Sequence, residues 1–325
     1  MTEPDMIQRI HAFLNRSGWT GEPVTVSFLA AGEYNANYFI ETPEGPRVLR
    51  INQGSQLGLG EDQIAYEYGV LKALAQSGVT PRPFACHTDA SDLGGGALLM
   101  EFLPGLALDY TRDLDRAAEI FAKVHTQPVP EAGLIVQADP VMDIAVESLG
   151  LIRRFNEHPL TRERDQILDY YYQVLELGAE TRHLFEDEPL CIINTEVNSG
   201  NFLIGDQGAW LVDWEKAVVS YRYQDLGHFM VPTTTLWKTD VCLSSEDKRR
   251  FLAAYHAQAC PEMDFEALVE KSRVMEKTIL LRALAWCFMA WYEYTETDRP
   301  LQNSDTFSKI QQYLSDIPWI LNSVT

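Results

Sequence analysis

The hydrophobic pattern of the chain changes at Leu103-Pro104-Gly105. Before this point, short alternating runs separated by Gly and Pro turns predict antiparallel strands at residues 24–28, 38–40, 47–51 and 97–102. After it, apolar residues recur at helical spacing, as in Ala117, Ile120, Phe121 and Val124. The sequence therefore predicts an α+β fold, with a small antiparallel β region over residues 1–103 and a larger, mainly helical region over residues 104–325.

Three further helices are predicted from local signals. The first carries Ala65, Val70, Leu71 and Leu74 on one apolar face. Ser244-Ser245-Glu246-Asp247 is typical of a capped helix start. The longest apolar run, residues 279–292, has 14 residues and contains Arg282. A membrane span needs about 20 residues, so this run predicts a buried helix.

Bulk composition limits the classes of partner. With 325 residues, the chain is longer than one hydrophobic core usually holds, so two lobes are expected. The 47 acidic residues against 26 basic ones give a net charge of -21, which repels nucleic acid and anionic membrane surfaces. The acidity fits either a cationic substrate or a general adaptation for solubility. Five scattered cysteines without CxxC spacing and no visible secretory signal favour a cytoplasmic protein with reduced thiols.

A polar octet, Asn194-Thr195-Glu196-Val197-Asn198-Ser199-Gly200-Asn201, lies between two short apolar runs in the helical half of the chain. A further apolar pair, Leu211-Val212, leads into Asp213. These residues predict a loop between short strands that either carries chemistry or only closes a turn. Carboxylate and amide oxygens of Glu196, Asn201 and Asp213 offer a base and a set of oxygen ligands.

In this order, the motifs resemble those of the aminoglycoside phosphotransferase and choline kinase-like small-molecule kinases, which share the protein-kinase fold. The family has His-Gly-Asp, then Gly-Asn with the asparagine five residues after the aspartate, then Asp-Trp-Glu at a strand end. Here Gly200-Asn201 and Asp213-Trp214-Glu215 match, whereas Asn194-Thr195-Glu196 departs from the triplet. The resemblance implies a bilobal protein-kinase-like fold, with a nucleotide-binding lobe over residues 1–103 and a helical lobe over residues 104–325 that holds the catalytic loop and substrate pocket.

The resemblance implies roles in the first lobe. Residues 32–35 would form the loop that covers the phosphates. A cation on the third strand would pair with the α- and β-phosphates, a helix glutamate would orient it, and backbone groups after the last strand would bind adenine. The corresponding residues are Gly32 and Asn35, Arg50, Glu67, and Glu101 and Leu103.

Roles in the second lobe follow in the same way. Glu196 would be the base that accepts the hydroxyl proton, and Asn201 and Asp213 would bind Mg²⁺. Asp225, in Tyr223-Gln224-Asp225, would brace the catalytic loop. Glutamate and aspartate have carboxylates of similar ordinary pKa, but Glu196 is longer by one methylene.

The leading hypothesis is an ATP- and Mg²⁺-dependent phosphotransferase that moves the γ-phosphate to a hydroxyl of a small molecule, such as an amine, amino sugar or amino alcohol. The altered triplet supports an alternative, a nucleotide-binding pseudokinase with a regulatory or scaffold role. A protein kinase is disfavoured, because the eleven residues between Asp213 and Asp225 are too few for a peptide-docking activation segment. The acceptor, the choice between ATP and GTP, and the oligomeric state stay open.

The resemblance to choline kinases gives a second possible interpretation of an aromatic stripe over residues 286–294. At helical spacing such a stripe is typical of core packing, and the alternative is a cage for a quaternary ammonium group. Its members are Trp286, Phe288, Trp291, Tyr292 and Tyr294.

Overall fold

Two groups of elements make up the computed structural model, which describes residues 3–21, 25–32, 34–55, 57–297 and 304–324. The first unit comprises Met1–Leu106, Gln127–Leu134 and Leu203–Ala217. The second comprises Ala107–Thr126, Ile135–Phe202 and Val218–Thr325. The first unit therefore holds more of the chain than residues 1–103, including the segment that carries Asp213.

The strands of the described residues form three sheets. The largest is antiparallel in the order β1-β2-β3-β5-β4, which confirms the predicted β-rich first part of the chain. Smaller sheets have the orders β10-β7 and β6-β8-β9. The strands are β1 (Thr25–Ala31), β2 (Asn35–Thr42), β3 (Gly45–Asn52), β4 (Pro83–His87), β5 (Ala97–Glu101), β6 (Leu106–Ala107), β7 (Cys191–Ile193), β8 (Phe202–Gly205), β9 (Gly208–Leu211) and β10 (Val218–Ser220).

Helices dominate the second part of the chain, as predicted. None in the described ranges is both long and apolar enough to span a bilayer. The helices are α1 (Glu3–Ser17), α2 (Gln63–Leu74), α3 (Leu114–His125), α4 (Pro140–Ile152), α5 (Thr161–Thr181), α6 (Tyr223–Met230), α7 (Pro232–Lys238), α8 (Ser245–Ala259), α9 (Phe265–Glu296), α10 (Ser304–Ser315) and α11 (Ile317–Asn322).

Four helix predictions are confirmed. The predicted helix with Val70, Leu71 and Leu74 on its buried face is α2. The predicted face of α3 is buried. Ser244 caps α8 in a reciprocal capping box with Asp247. The run 279–292 lies in α9, where most of its residues are buried.

Three features of the first unit differ from the sequence analysis. Strand β4 (Pro83–His87) was not predicted. Helix α1 was not predicted, although its buried residues Met6, Ile10, Phe13 and Leu14 have helical spacing and pack against the sheet. Ala65 was predicted to be buried in α2, and this is wrong because Ala65 is exposed. The buried face of α2 includes the polar residues Gln63 and Glu67, so apolarity alone does not mark it.

The aromatic stripe of α9 packs against rings of the second unit. Phe288 stacks on His158 with ring centroids 3.6 Å apart, and Tyr292 stacks on Phe155 at 4.3 Å. Trp286 meets Trp237 edge-to-face. These contacts favour the core-packing interpretation over a ligand cage.

Gly105, at the predicted change of pattern, permits a close approach of two chain segments. A Cβ atom at Gly105 would lie 2.8 Å from the backbone of Leu203 and Ile204 in the first unit. Real Cβ atoms do not approach backbone this closely, so only glycine fits without a shift. Glycine is required at position 105 because a side chain would clash with the backbone, and not because the residue has a positive φ.

We expect Gly105→Ala to lower the free energy of unfolding by about 1–3 kcal/mol, because the added methyl group overpacks a backbone contact. Urea denaturation measures the change. Gly69→Ala is the matched control: nothing lies within 4 Å of a Cβ atom at this position of α2. Alanine there should stabilise the helix by about 0.5–1 kcal/mol. Equal effects of the two substitutions would contradict the steric explanation.

Candidate active site

Arg50 is the centre of an ion cluster in the first unit. Its Nη1 atom lies 2.5 Å from Glu67 Oε1 on α2 and 3.0 Å from Asp213 Oδ1. Its Nε atom donates to Asn37 Oδ1 at 3.0 Å. The side chains of Arg50 and Glu67 are only 6% and 1% exposed, whereas that of Asp213 is 28% exposed. The structure thus brings together the predicted cation, its predicted partner and one predicted metal ligand.

The electrostatics of this cluster are set by burial and charge. Burial acts to lower the pKa of Arg50, but Glu67, Asp213 and Glu215 outweigh it and raise this pKa above its ordinary value. Burial raises the pKa of Glu67, and Arg50 acts against that shift. Arg50 therefore remains a cation among three carboxyl groups.

Asp213 stands in a strained turn that follows β9. Its φ is 65°, in the left-handed region that non-glycine residues rarely adopt. The fully buried Trp214 donates from Nε1 to the Leu211 carbonyl at 2.9 Å. This bond spans the turn, so a buried indole helps to hold the Asp213 backbone in an uncommon conformation.

Contacts with α2 and β2 anchor the rest of the Asp-Trp-Glu segment. Gln63 Nε2 donates to the Glu215 carbonyl at 2.7 Å, and Tyr66 Oη donates to the Ala217 carbonyl at 2.7 Å. The Glu215 carboxylate accepts a hydrogen bond from Asn35 Nδ2. The position of Asp213 is thus determined on both sides of the residue.

The predicted phosphate-covering loop has the contacts of a hairpin turn. Gly32 N–H donates to the Asn35 carbonyl at 2.8 Å. The Asn35 side chain is buried, and its Oδ1 accepts from Asn52 Nδ2 at 2.9 Å. Glu33 lies outside the described residues. The role of Gly32 and Asn35 at phosphate remains a prediction.

The predicted adenine-binding residues follow the last strand of the large sheet. Glu101 ends β5, and its N–H donates to the Arg82 carbonyl at 2.9 Å. Leu103 is buried two residues later. Their role with adenine also remains a prediction.

Asp225 braces the polar octet in the second unit. Its Oδ2 accepts the Asn194 N–H at 2.8 Å and its Oδ1 accepts the Thr195 N–H at 2.9 Å. His125 Nε2 lies 3.3 Å from Oδ2, and His125 Nδ1 lies 3.0 Å from Tyr255 Oη. A buried carboxylate from α6 therefore holds the start of the loop.

Glu196 and Asn201, the two predicted functional residues of the octet, are joined by a hydrogen bond from a side chain to the backbone. Asn201 Nδ2 donates to the Glu196 carbonyl at 2.6 Å. Gly200 N–H donates to Asn198 Oδ1, and Asn201 N–H donates to the Asn198 carbonyl, both at 3.0 Å. Because its amide nitrogen is bound to Glu196, Asn201 directs its oxygen elsewhere. This orientation suits a ligand to a cation.

Sequence analysis missed several residues that hold the site. Asn37 could have been found, because the tight turn after Thr42 sets the register in which Asn37 lies opposite Arg50. Gln63 and Tyr66 carry no such signal, since their partners are backbone groups about 150 residues away. Their roles depend on the folded chain.

The comparisons with known proteins decide the family. A model of the phosphotransferase enzyme family, APH, matches residues 25–269. The chain belongs to this family. No curated protein sequence gives a significant match.

Solved structures of low sequence identity share the protein-kinase-like fold. An ethanolamine kinase from Plasmodium vivax superposes with a TM-score of 0.65 at 12% identity, covering 97% of this chain and 88% of that one. A choline/ethanolamine kinase family protein from Mesorhizobium loti gives 0.61 at 17% identity, covering 98% and 99%. A spectinomycin phosphotransferase in complex with ADP and spectinomycin gives 0.60 at 12% identity, covering 97% and 98%.

We expect His125 to make this phosphotransferase less stable in mild acid. Burial lowers the pKa of His125 below its ordinary value of 6.5. The unfolded chain therefore binds a proton that the folded chain does not, and the free energy of unfolding falls as pH falls below about 6.5.

Urea denaturation of His125→Gln at several pH values between about 5 and 7 should show a shallower pH dependence than the wild type. The substitution also changes the level of stability, so the slope is the relevant readout. His183→Gln, at an exposed position, is the control. An unchanged slope for His125→Gln would show that His125 does not titrate in this way.

Proposed function

We propose that the chain is an ATP-dependent phosphotransferase that transfers the γ-phosphate to a hydroxyl group of a small molecule. The observation that carries this proposal is the buried Arg50–Glu67 pair in contact with Asp213. Membership of the phosphotransferase family supports it. So does the likeness to a phosphotransferase that holds ADP and to an ethanolamine kinase.

Arg50 would bind the α- and β-phosphates. A guanidinium group is always charged, and its planar donors match phosphate oxygens. Glu67 and Asn37 each hold one of its nitrogens, so the group is oriented before a ligand arrives. This arrangement reduces the entropy that phosphate binding would otherwise cost.

Asn201 and Asp213 would bind Mg²⁺. The donor set fits this ion, since one residue offers a carboxylate and the other an amide oxygen directed away from the Glu196 carbonyl. The three carboxyl groups around Arg50 also favour an added cation. When bound, Mg²⁺ neutralises charge on the phosphate oxygens during transfer.

Glu196 would act as the general base. The acceptor oxygen would bond to the γ-phosphorus as the bond to the bridging oxygen of ADP breaks, and the hydroxyl proton would pass to the Glu196 carboxylate. The backbone of this residue is already fixed, because Asn194 holds its N–H and Asn201 holds its carbonyl.

Backbone groups would complete nucleotide binding. The turn from Gly32 to Asn35 would cover the phosphates with N–H groups. The backbone of Glu101 and Leu103 would bind the edge of adenine. For the acceptor we propose an amine, amino sugar or amino alcohol, because a net charge of -21 attracts cations.

The altered triplet Asn194-Thr195-Glu196 supports a second candidate, a pseudokinase that binds nucleotide without transferring phosphate. Incubation with Mg-ATP and a set of hydroxylated amines separates the two functions. ADP and a phosphorylated acceptor are expected from an enzyme. Mg-ATP binding without ATP consumption would favour the pseudokinase.

We expect Asp213→Ala to weaken Mg-ATP binding at least about tenfold, because it removes a charged ligand from the metal site. Adenosine, which has no phosphates, should bind nearly as well as to the wild type. Titration calorimetry measures both ligands. Asp206→Ala, at an exposed position of the β8–β9 turn, is the control for the loss of one carboxylate. Equal losses for Mg-ATP and adenosine would rule out Asp213 as a metal ligand.

Glu196→Gln keeps the size of the side chain but removes its basicity. We expect it to lower kcat by about 10²–10⁴-fold, the usual contribution of a general base. Mg-ATP affinity should stay close to that of the wild type. Glu196→Asp should also lose activity if the loop is adapted to the longer side chain. Full turnover by Glu196→Gln would show that this carboxylate is not the base.

A further inference from the structure

Thr195 stands in a strained conformation at the centre of the altered triplet. Its φ is 68°, and a β-branched residue in the left-handed region is a rare outlier. The sequence resemblance places glycine at this position, which adopts the same φ without strain. Such strain persists only where surrounding contacts determine the backbone.

Side chains provide these contacts at each residue of the triplet. Asp225 accepts the N–H groups of Asn194 and Thr195 at 2.8 and 2.9 Å. Arg282 Nη2, from α9, lies 3.5 Å from the Thr195 carbonyl. Asn194 Oδ1 accepts the Glu196 N–H at 2.9 Å. The last contact forms a local turn in which the first residue of the triplet holds the third.

The Asn194 side chain differs from those of Asp225 and Arg282 because it binds the backbone of Glu196 itself. It accepts the Glu196 N–H, whereas Asn201 holds the Glu196 carbonyl. Asn194 is fully buried, and its backbone N–H is separately held by Asp225. Removal of the side-chain acceptor would therefore leave the start of the loop anchored and release the Glu196 amide. A histidine, which the resemblance places here, has no amide oxygen to form this turn.

We infer that Asn194 is a positioning residue that sets the backbone of Glu196 so that the longer glutamate side chain reaches the acceptor hydroxyl. This inference rests on the proposed function, in which Glu196 is the base. Glutamate exceeds aspartate by one methylene, and a misplacement of about 1 Å can lower a rate about a hundredfold. A shift of the Glu196 backbone by the local turn can offset that length.

Hydrolysis of Mg-ATP, with water in place of the hydroxyl acceptor, provides an assay that needs no identified substrate. Asn194→Leu removes the acceptor at similar size, and we expect kcat to fall about 10- to 100-fold. The KM for Mg-ATP should stay within about threefold, since the phosphate contacts are unchanged. Asn194→Ser should restore most of the rate, because a serine hydroxyl can accept an N–H two residues later.

A double-mutant cycle tests whether Asn194 acts through Glu196. In the Glu196→Gln background there is no base to position, so Asn194→Leu should cause no further loss of kcat. Asn198→Leu is the comparison. It removes a similar contact of the loop, because Asn198 Oδ1 accepts the Gly200 N–H next to Asn201. The factor by which Asn198→Leu lowers kcat should be the same in the wild type and in Glu196→Gln.

Thermal unfolding establishes that each variant is folded, and Asn194→Ala replaces Asn194→Leu if the leucine variant is not. If Asn194→Leu lowers kcat by the same factor in the wild type and in Glu196→Gln, or if Asn194→Ser does not restore the rate, the positioning role is overturned while Glu196 remains the base. Full turnover by Glu196→Gln alone overturns the base assignment and, with it, the role of Asn194. The two failures are therefore distinguishable.

Discussion

The contact between Arg50 and Glu67 determines how the first unit is organised around the candidate site. Two opposite charges that are almost fully buried must be paired and hydrogen-bonded, or their desolvation would destabilise the fold. The ion pair joins β3 to α2, and Asn37 on β2 accepts a further hydrogen bond from Arg50. Asp213 contacts the same guanidinium group, so one cation holds a strand, a helix and the turn after β9 together.

Three non-glycine residues in the described part of the chain have positive φ, and two of them lie in proposed functional segments. Asp213 is itself a proposed metal ligand, and Thr195 precedes the proposed base. Each has dedicated support, from Trp214 in the first unit and from Asp225 in the second. Strain of this kind is common where a side chain must be held in one orientation for chemistry. Both units therefore use stable packing to hold a side chain of proposed function in place.

Local periodicity predicted α3 and four of the five strands of the large sheet, because burial of one face leaves a repeating pattern in the sequence. A capping signature predicted the start of α8, and the length of an apolar run predicted the core of α9. Periodicity failed for Ala65, since two polar residues, Gln63 and Glu67, occupy the buried face of α2. Motif spacing located Glu196, Asn201 and Asp213, whose roles remain predictions. The supports of these residues were not predictable, because they come from side chains whose partners are distant in sequence.

The contacts of Asn194, Thr195 and Glu196 bear on whether this loop is adapted to a glutamate base or has lost its function. A loop that had lost its function would be under no selection to keep the strained φ of Thr195 or the contacts that hold it. Instead, the strained residue is buried, its N–H is bound by a buried carboxylate, and the asparagine before it binds the amide of Glu196. An aspartate at this position would need a different backbone placement to bring its shorter side chain to the same point. These contacts support the proposal that the three departures from the family triplet are one coupled change and not three independent losses.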